Sequence, residues 1–239
     1  QRSLSAFILF GSVLFTLSAC TNSPETDQRA TPEGATDRIT KNVVESANAM
    51  IVVANPHAAQ AGYRILKSGG SAVDAAIAAQ MVLNLVEPQS SGIGGGGFMV
   101  VFDPKTKKVI TFDGRETAPE KVTETLFIKE DGSTMGFFEA AVGGRSVGTP
   151  GLLHMLDQAH QEFGRIDWSS LFESAHTLAL HGFEISPRLH ELVSNDRHLK
   201  NDPIAKSYFY QEDGTAKPVG FLLQNPDFAL PLEQIQKGD

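Results

Sequence analysis

The apolar segment from Ala72 to Val86 constrains this chain more than any other feature. Ser71, followed three residues later by Asp74, fits a capping box, in which each side chain bonds the other's backbone amide and a helix begins. From Ala72 onward the residues are apolar around nearly the whole helical circumference, the pattern of a helix buried on all sides. Gly69-Gly70 ends the helix before it, because glycine takes the left-handed C′ conformation at little cost. Pro88 stops the buried helix itself. A glycine run, Gly92 to Gly97, then leads into Phe98-Met99-Val100-Val101-Phe102, a short apolar run of strand character.

Around this centre the chain reads in order. Met50-Ile51-Val52-Val53-Ala54 is a β-branched run bounded by Asn55-Pro56, the signature of a short buried strand. His57 to Lys67 fits a helix. Phe98 to Asp103 and Val109 to Asp113 flank a polar turn at Pro104–Lys108 and form a hairpin. Phe137 to Val142 has the composition of another strand. Thr149-Pro150 supplies an N-cap followed by proline at N1 of a helix that Gly164 ends. Asp167 to His181 and Ser186 to about Leu199 read as two more helices, and the final residues, Leu232 to Asp239, lie within an amphipathic one. Strands followed by helices indicate a layered α+β fold. No internal repeat is visible.

The amino-terminal residues are different in kind. Arg2 precedes an apolar stretch, Ala6 to Leu17, too short to span a bilayer as a stable helix. The segment ends in Leu17-Ser18-Ala19-Cys20, which resembles the lipobox of bacterial lipoproteins, so residues 1–19 read as a signal peptide and Cys20 as the lipidated first residue of the mature chain. An ordinary secretory signal with Cys20 as a spare thiol is the alternative. Cys20 is the single cysteine, so no internal disulfide can form. Residues 20–41 are polar and acidic with few apolar side chains, the composition of a disordered tether. The folded part is then 42–239. A net charge of −8 without a basic run disfavours nucleic acid as a partner.

Candidate chemistry is sparse. The glycine run could suggest a phosphate cradle, but such cradles place glycines between a strand and a following helix. Here the order is helix, glycines, strand, which points instead to close backbone approach. Gly144-Arg145-Ser146-Val147-Gly148 matches the G-x-S-x-G of a serine-hydrolase elbow, which requires a strand before and a helix directly after the serine. The glycines and proline from Gly148 to Gly151 interrupt any such helix. None of the seven histidines forms H-E-x-x-H or an equivalent ligand pair, so no metal or cofactor is expected. Arg115 follows a strand in a turn begun by Asp113-Gly114, and its guanidinium fork matches a carboxylate bidentately. A substrate clamp and a structural pair with Asp113 or Glu116 both remain open on the residues alone.

The run Gly62 to Gly97, together with Arg115-Glu116-Thr117-Ala118-Pro119, resembles the amino-terminal half of the gamma-glutamyltranspeptidase (glutathione hydrolase) family. The resemblance extends more loosely from about Val43 to the end of the chain. It implies a four-layer αββα N-terminal-nucleophile hydrolase sandwich, incomplete here because the chain covers the front portion of the family. It also implies that Arg115 binds the α-carboxylate of a γ-glutamyl group. The nucleophile would be a threonine freed by self-cleavage at the start of a small subunit, downstream of this chain. Glutathione, other γ-glutamyl compounds and amino acid or peptide acceptors would be the substrates. Together with the lipobox this places an exported enzyme at the cell envelope, on the periplasmic side of an outer membrane. The alternatives are a serine hydrolase using Ser146, a non-catalytic lipoprotein of the same fold, and a related β-lactam acylase.

Overall fold

The computed structural model describes residues 43–238. The readings of residues 1–19 as a signal, Cys20 as a lipid anchor and 20–41 as a tether lie outside the described residues.

Helix α1 spans Pro56–Lys67 and is capped by Asn55, whose side-chain oxygen accepts from the His57 amide at 3.0 Å. Helix α2, Ala72–Val86, starts with the expected capping box: Ser71 Oγ accepts from Asp74 N at 3.0 Å, and Asp74 Oδ2 accepts from Ser71 N at 2.7 Å. Its residues Ile77, Met81 and Val82 have no exposed surface. Helices α1, α4 (Leu152–Phe163) and α5 (Glu173–His181) surround it, which is why no polar face was legible in it. Gly62 lets α1 approach closely, since a Cβ there would stand 2.8 Å from the carbonyl oxygen of Ala75.

The hairpin is antiparallel: β1, Gly97–Asp103, pairs with β2, Lys108–Gly114, with Val100 opposite Thr111. Asp103 holds its turn by accepting from the Lys105 amide and the Thr106 hydroxyl. One face, with Met99, Val101 and Phe112, packs on the core and on α4, where Phe112 meets Phe163 edge to face at 6.2 Å. On the other face Phe98, Val100 and Phe102 are each more than 60 % exposed. The remaining chain forms α3 (Phe137–Ala141), α6 (Pro187–Asn195), α7 (Pro203–Phe209) and α8 (Pro226–Lys237), with a minimal ladder between β3 (Phe183–Glu184) and β4 (Leu222–Leu223). The architecture is α+β, as expected.

Several local expectations are corrected. Met50–Ala54 forms no strand among the described residues, and Val52 is 84 % exposed. Phe137–Ala141 is helical because Glu139 reaches back to the Gly136 amide at 3.2 Å and starts a turn. Helix α4 begins at Leu152, after Thr149 has been drawn into a bridge with Thr117. Helix α6 ends at Asn195, and α8 is closed at Lys237 by Gly238 in the left-handed conformation, φ 79°. A short repeat is also present. Phe127–Met135 and Phe209–Lys217 form the same tight hairpin around Glu-Asp-Gly-Ser and Glu-Asp-Gly-Thr. In both, the aspartate accepts from the amide and hydroxyl two residues on, at 2.9 and 2.6 Å, and the glycine has positive φ. Four residues are too few to stand out as a repeat without their shared geometry.

Candidate active site

The end of the hairpin, the glycine run and the start of α4 meet at one place. Gly95 O accepts from both Gly151 N and Leu152 N at 3.2 Å, so a carbonyl of the glycine run takes the first free amides of α4. That replaces the Thr149 cap expected from sequence, and it leaves those helix amides no room for a phosphate. Gly114 and Gly151 touch backbone to backbone: a Cβ on Gly151 would stand 2.5 Å from Gly114 O. Two backbone hydrogen bonds, Thr149 N to Thr117 O at 2.8 Å and Thr117 N to Thr149 O at 3.2 Å, complete the junction. Close approach is therefore what these glycines serve.

Beside this junction lies a groove of about 500 Å³. Gln80 of α2, the Ser90–Ser91 turn, the glycine run, β1, Glu116 and the first turns of α4 line it. Gln80 Nε2 and Ser91 Oγ both donate to Asn84 Oδ1, at 2.8 and 2.7 Å, and Gln80 also reaches Ser91 Oγ at 3.2 Å. This ring uses the Ser91 hydroxyl proton internally. Glu116 stands against Gly95 and Gly96 on one side and Gly148 on the other. Its carboxylate accepts no hydrogen bond among the described residues.

Arg115 does not itself line the groove; it directly precedes Glu116, which does. Asp113 Oδ1 accepts from the Arg115 backbone amide at 2.9 Å, which forms the turn expected from Asp113-Gly114. Asp113 therefore holds the backbone and not the guanidinium. Arg115 Nε lies 3.7 Å from Glu116 Oε2, and the arginine side chain is 72 % exposed. The terminal nitrogens of its fork have no partner among the described residues. A surface pair of this length stabilises little, so the structural reading of Arg115 is weakly supplied. In the sequence Glu116 is marked only as a pairing partner for Arg115 and as its neighbour in the family-like run. Its glycine enclosure, with Gly148 arriving from a distant segment, has no local sequence signal.

Ser146 is not on an elbow. It closes a 3-10 turn, Gly144–Ser146, after helix α3, and its hydroxyl donates to Ala141 O at 2.7 Å. No histidine bonds it among the described residues. Three histidines are held in structural bonds: His160 Nε2 to Ile166 O at 2.8 Å, His176 to Glu233 at 3.0 Å and His190 Nδ1 to Lys217 O at 2.8 Å. Among the described residues no group of three or more His, Cys, Asp or Glu side chains could hold a metal ion.

The sequence profile described as Gamma-glutamyltranspeptidase matches residues 58–239. This chain belongs to the gamma-glutamyltranspeptidase family. It is 37 % identical over 196 residues to the glutathione hydrolase proenzyme of Bacillus subtilis (strain 168), covering 82 % of this chain and 33 % of that protein. Among solved structures, it is similar to the gamma-glutamyltranspeptidase of Helicobacter pylori, with a TM-score of 0.77 and 28 % identity over 82 % of this chain and 56 % of that one. A cephalosporin acylase from Bacillus halodurans gives a TM-score of 0.72 and 28 % identity over 87 % of this chain and 39 % of that one. The chain spans about a third of the length of the first curated relatives it matches. Its fold is that of the N-terminal-nucleophile hydrolase sandwich, of which the described residues supply the helices around α2 and one hairpin.

Proposed function

We propose that this gamma-glutamyltranspeptidase-family chain is the large-subunit part of an exported glutathione hydrolase and gamma-glutamyltransferase. One observation carries the reading. Arg115, in the family-like run Arg115-Glu116-Thr117-Ala118-Pro119, is exposed next to the groove-lining Glu116, and the terminal nitrogens of its fork have no partner among the described residues. The fork receives the substrate α-carboxylate through two parallel charge-assisted bonds. This fixes the γ-glutamyl group so that its amide carbonyl meets a threonine nucleophile supplied by the small subunit. The threonine Oγ bonds the carbonyl carbon, and its proton passes through the threonine's own α-amine to the departing amine. Water or an amino acid acceptor then cleaves the resulting ester and restores the threonine hydroxyl.

The small subunit also has places to bind. The outer face of the hairpin presents Phe98, Val100 and Phe102 to solvent, a contiguous apolar patch that suits another layer of protein. Ala76 and Gln80 of α2 line both the main groove and a second depression of about 300 Å³, walled by the unpaired run Met50–Val53. A segment that pairs with no strand among the described residues, over an apolar floor, leaves room for an added strand.

A β-lactam acylase is the second reading, supported by the likeness to the cephalosporin acylase. The deciding experiment expresses the complete open reading frame. The reading expects two subunits on a denaturing gel and turnover of both glutathione and a γ-glutamyl anilide. Residues 20–239 alone should be inactive, and turnover by them would overturn the threonine mechanism.

A further inference from the structure

Glu87 is buried, with 4 % of its surface exposed, at the carboxyl end of α2. An anion there opposes the helix macrodipole, whose negative end it faces. Arg188, in the first turn of α6, opposes its own helix in the same way, as a cation at a positive end. Neither charge therefore serves the helix that carries it. They meet each other instead: Arg188 Nη1 donates to Glu87 Oε2 at 3.2 Å. The same oxygen accepts from Gln89 Nε2 at 2.6 Å, while Oε1 accepts from Asn55 Nδ2 at 2.9 Å. Arg188 Nη2 reaches on to Ser90 Oγ at 3.5 Å, and the Ser90 amide donates to Glu87 O at 3.0 Å.

A buried ion pair contributes little net stability over an apolar replacement of equal volume. What this pair provides is geometry. Its bonds converge on Gln89 and Ser90, the turn whose serines wall the groove. We propose that Arg188 and Glu87 are positioning residues that fix the Ser90–Ser91 wall of the substrate groove to helix α6. The proposal rests on the reading of that groove as the substrate site. It makes α6 a determinant of substrate fit although Arg188 does not line the groove. Replacing Arg188 leaves the turn tied by Gln89, by the Ser90 amide and by the Asn84 ring, with no bond to α6 from this pair.

The test uses the complete, self-cleaved protein with γ-glutamyl-p-nitroanilide, and compares wild type, Arg188→Met and Arg188→Lys. Arg188→Met should raise KM about tenfold with kcat within about twofold, because a loosened wall weakens substrate placement more than the chemistry. Arg188→Lys, which keeps the charge on Glu87, should recover most of that loss. Hydrogen exchange should quicken in residues 89–97 of Arg188→Met and stay unchanged in residues 58–67. An unchanged KM, or faster exchange in both segments alike, would overturn the proposal and leave the pair a general structural tie. If the wild type turns over no γ-glutamyl anilide, the functional reading fails by itself. The exchange comparison still decides whether Arg188 holds the turn.

Discussion

A Cβ on Gly96 would stand 2.6 Å from Glu116 Oε2, and the same atom would be 2.5 Å from Gly114 O. Only a hydrogen fits between the glycine run and the residue beside Arg115. Gly96→Ala should therefore push Glu116 and the Arg115 turn outward. Overpacking of this kind costs about 1–3 kcal/mol, and kcat/KM for a γ-glutamyl anilide should fall by about tenfold or more as the fork is misplaced. Gly94→Ala is the control, since nothing lies within 4 Å of a Cβ there and Gly94 does not line the groove. It should retain activity within about twofold, as surface substitutions away from such contacts do. Equal effects from the two variants would contradict the enclosure of Glu116.

Asp74 joins two distant segments. Its Oδ2 accepts from Ser71 N, Arg165 N and Ile166 N, at 2.7, 2.9 and 3.3 Å, and its Oδ1 lies 3.6 Å from His160 Nε2. Asp74→Ala removes a capping box worth about 1 kcal/mol and orphans amides of the loop after α4. With about 1–3 kcal/mol for each of the two loop amides left unpaired, the total loss should be about 3–7 kcal/mol. A chemical denaturation midpoint of the complete protein checks this. Asp74→Asn keeps one acceptor and should lose less.

Burial pushes the Tyr208 phenol up to about 12, from an ordinary 10, against a smaller opposing pull from the Asn225 side chain; the hydroxyl has no well-formed hydrogen bond among the described residues. The folded state thus holds the phenol proton more tightly than the unfolded state. That contribution to stability is complete below pH 10 and is lost as pH rises through about 12. Tyr208→Phe should match or slightly exceed wild type at pH 7, because an unpaired hydroxyl is removed. Between pH 10 and 12 it should decline less steeply in denaturation midpoint. Parallel curves would contradict the assignment.

The centre of the fold was legible because its signals are local. The Ser71–Asp74 box, the apolar circumference of α2 and the polar turn of the hairpin each lie within one element. The start of α4 was misplaced because a carbonyl from another segment, Gly95, outcompetes the Thr149 side chain for its first amides. Phe137–Ala141 has strand composition, yet the Glu139 bond to Gly136 starts a helix. Near the groove, Arg115 was singled out from its turn and its motif. Glu116 and Glu87 were not, because the Gly148 and Arg188 that give them meaning are far away in sequence.

Anchoring through Cys20 can be measured independently of the fold. If the cysteine carries lipid, the wild-type protein should label with radioactive palmitate and enter the detergent phase. Several acyl chains anchor stably where a single one binds only marginally. Cys20→Ala should do neither, and unlabelled wild-type protein in the soluble periplasm would contradict the anchor.

The central claim is that the Arg115 fork holds the substrate α-carboxylate. Arg115→Lys keeps the charge and loses the bidentate geometry. Loss of one charge-assisted bond costs about 1.5–3 kcal/mol, which is about a 10- to 150-fold fall in kcat/KM. Self-cleavage should be unaffected, since no free substrate takes part in it. The most direct measurement compares kcat/KM of wild type and Arg115→Lys on a γ-glutamyl anilide and on its analogue lacking the α-carboxylate. The clamp predicts a large loss on the first and almost none on the second. An equal loss on both would contradict it and return Arg115 to a structural role beside Glu116.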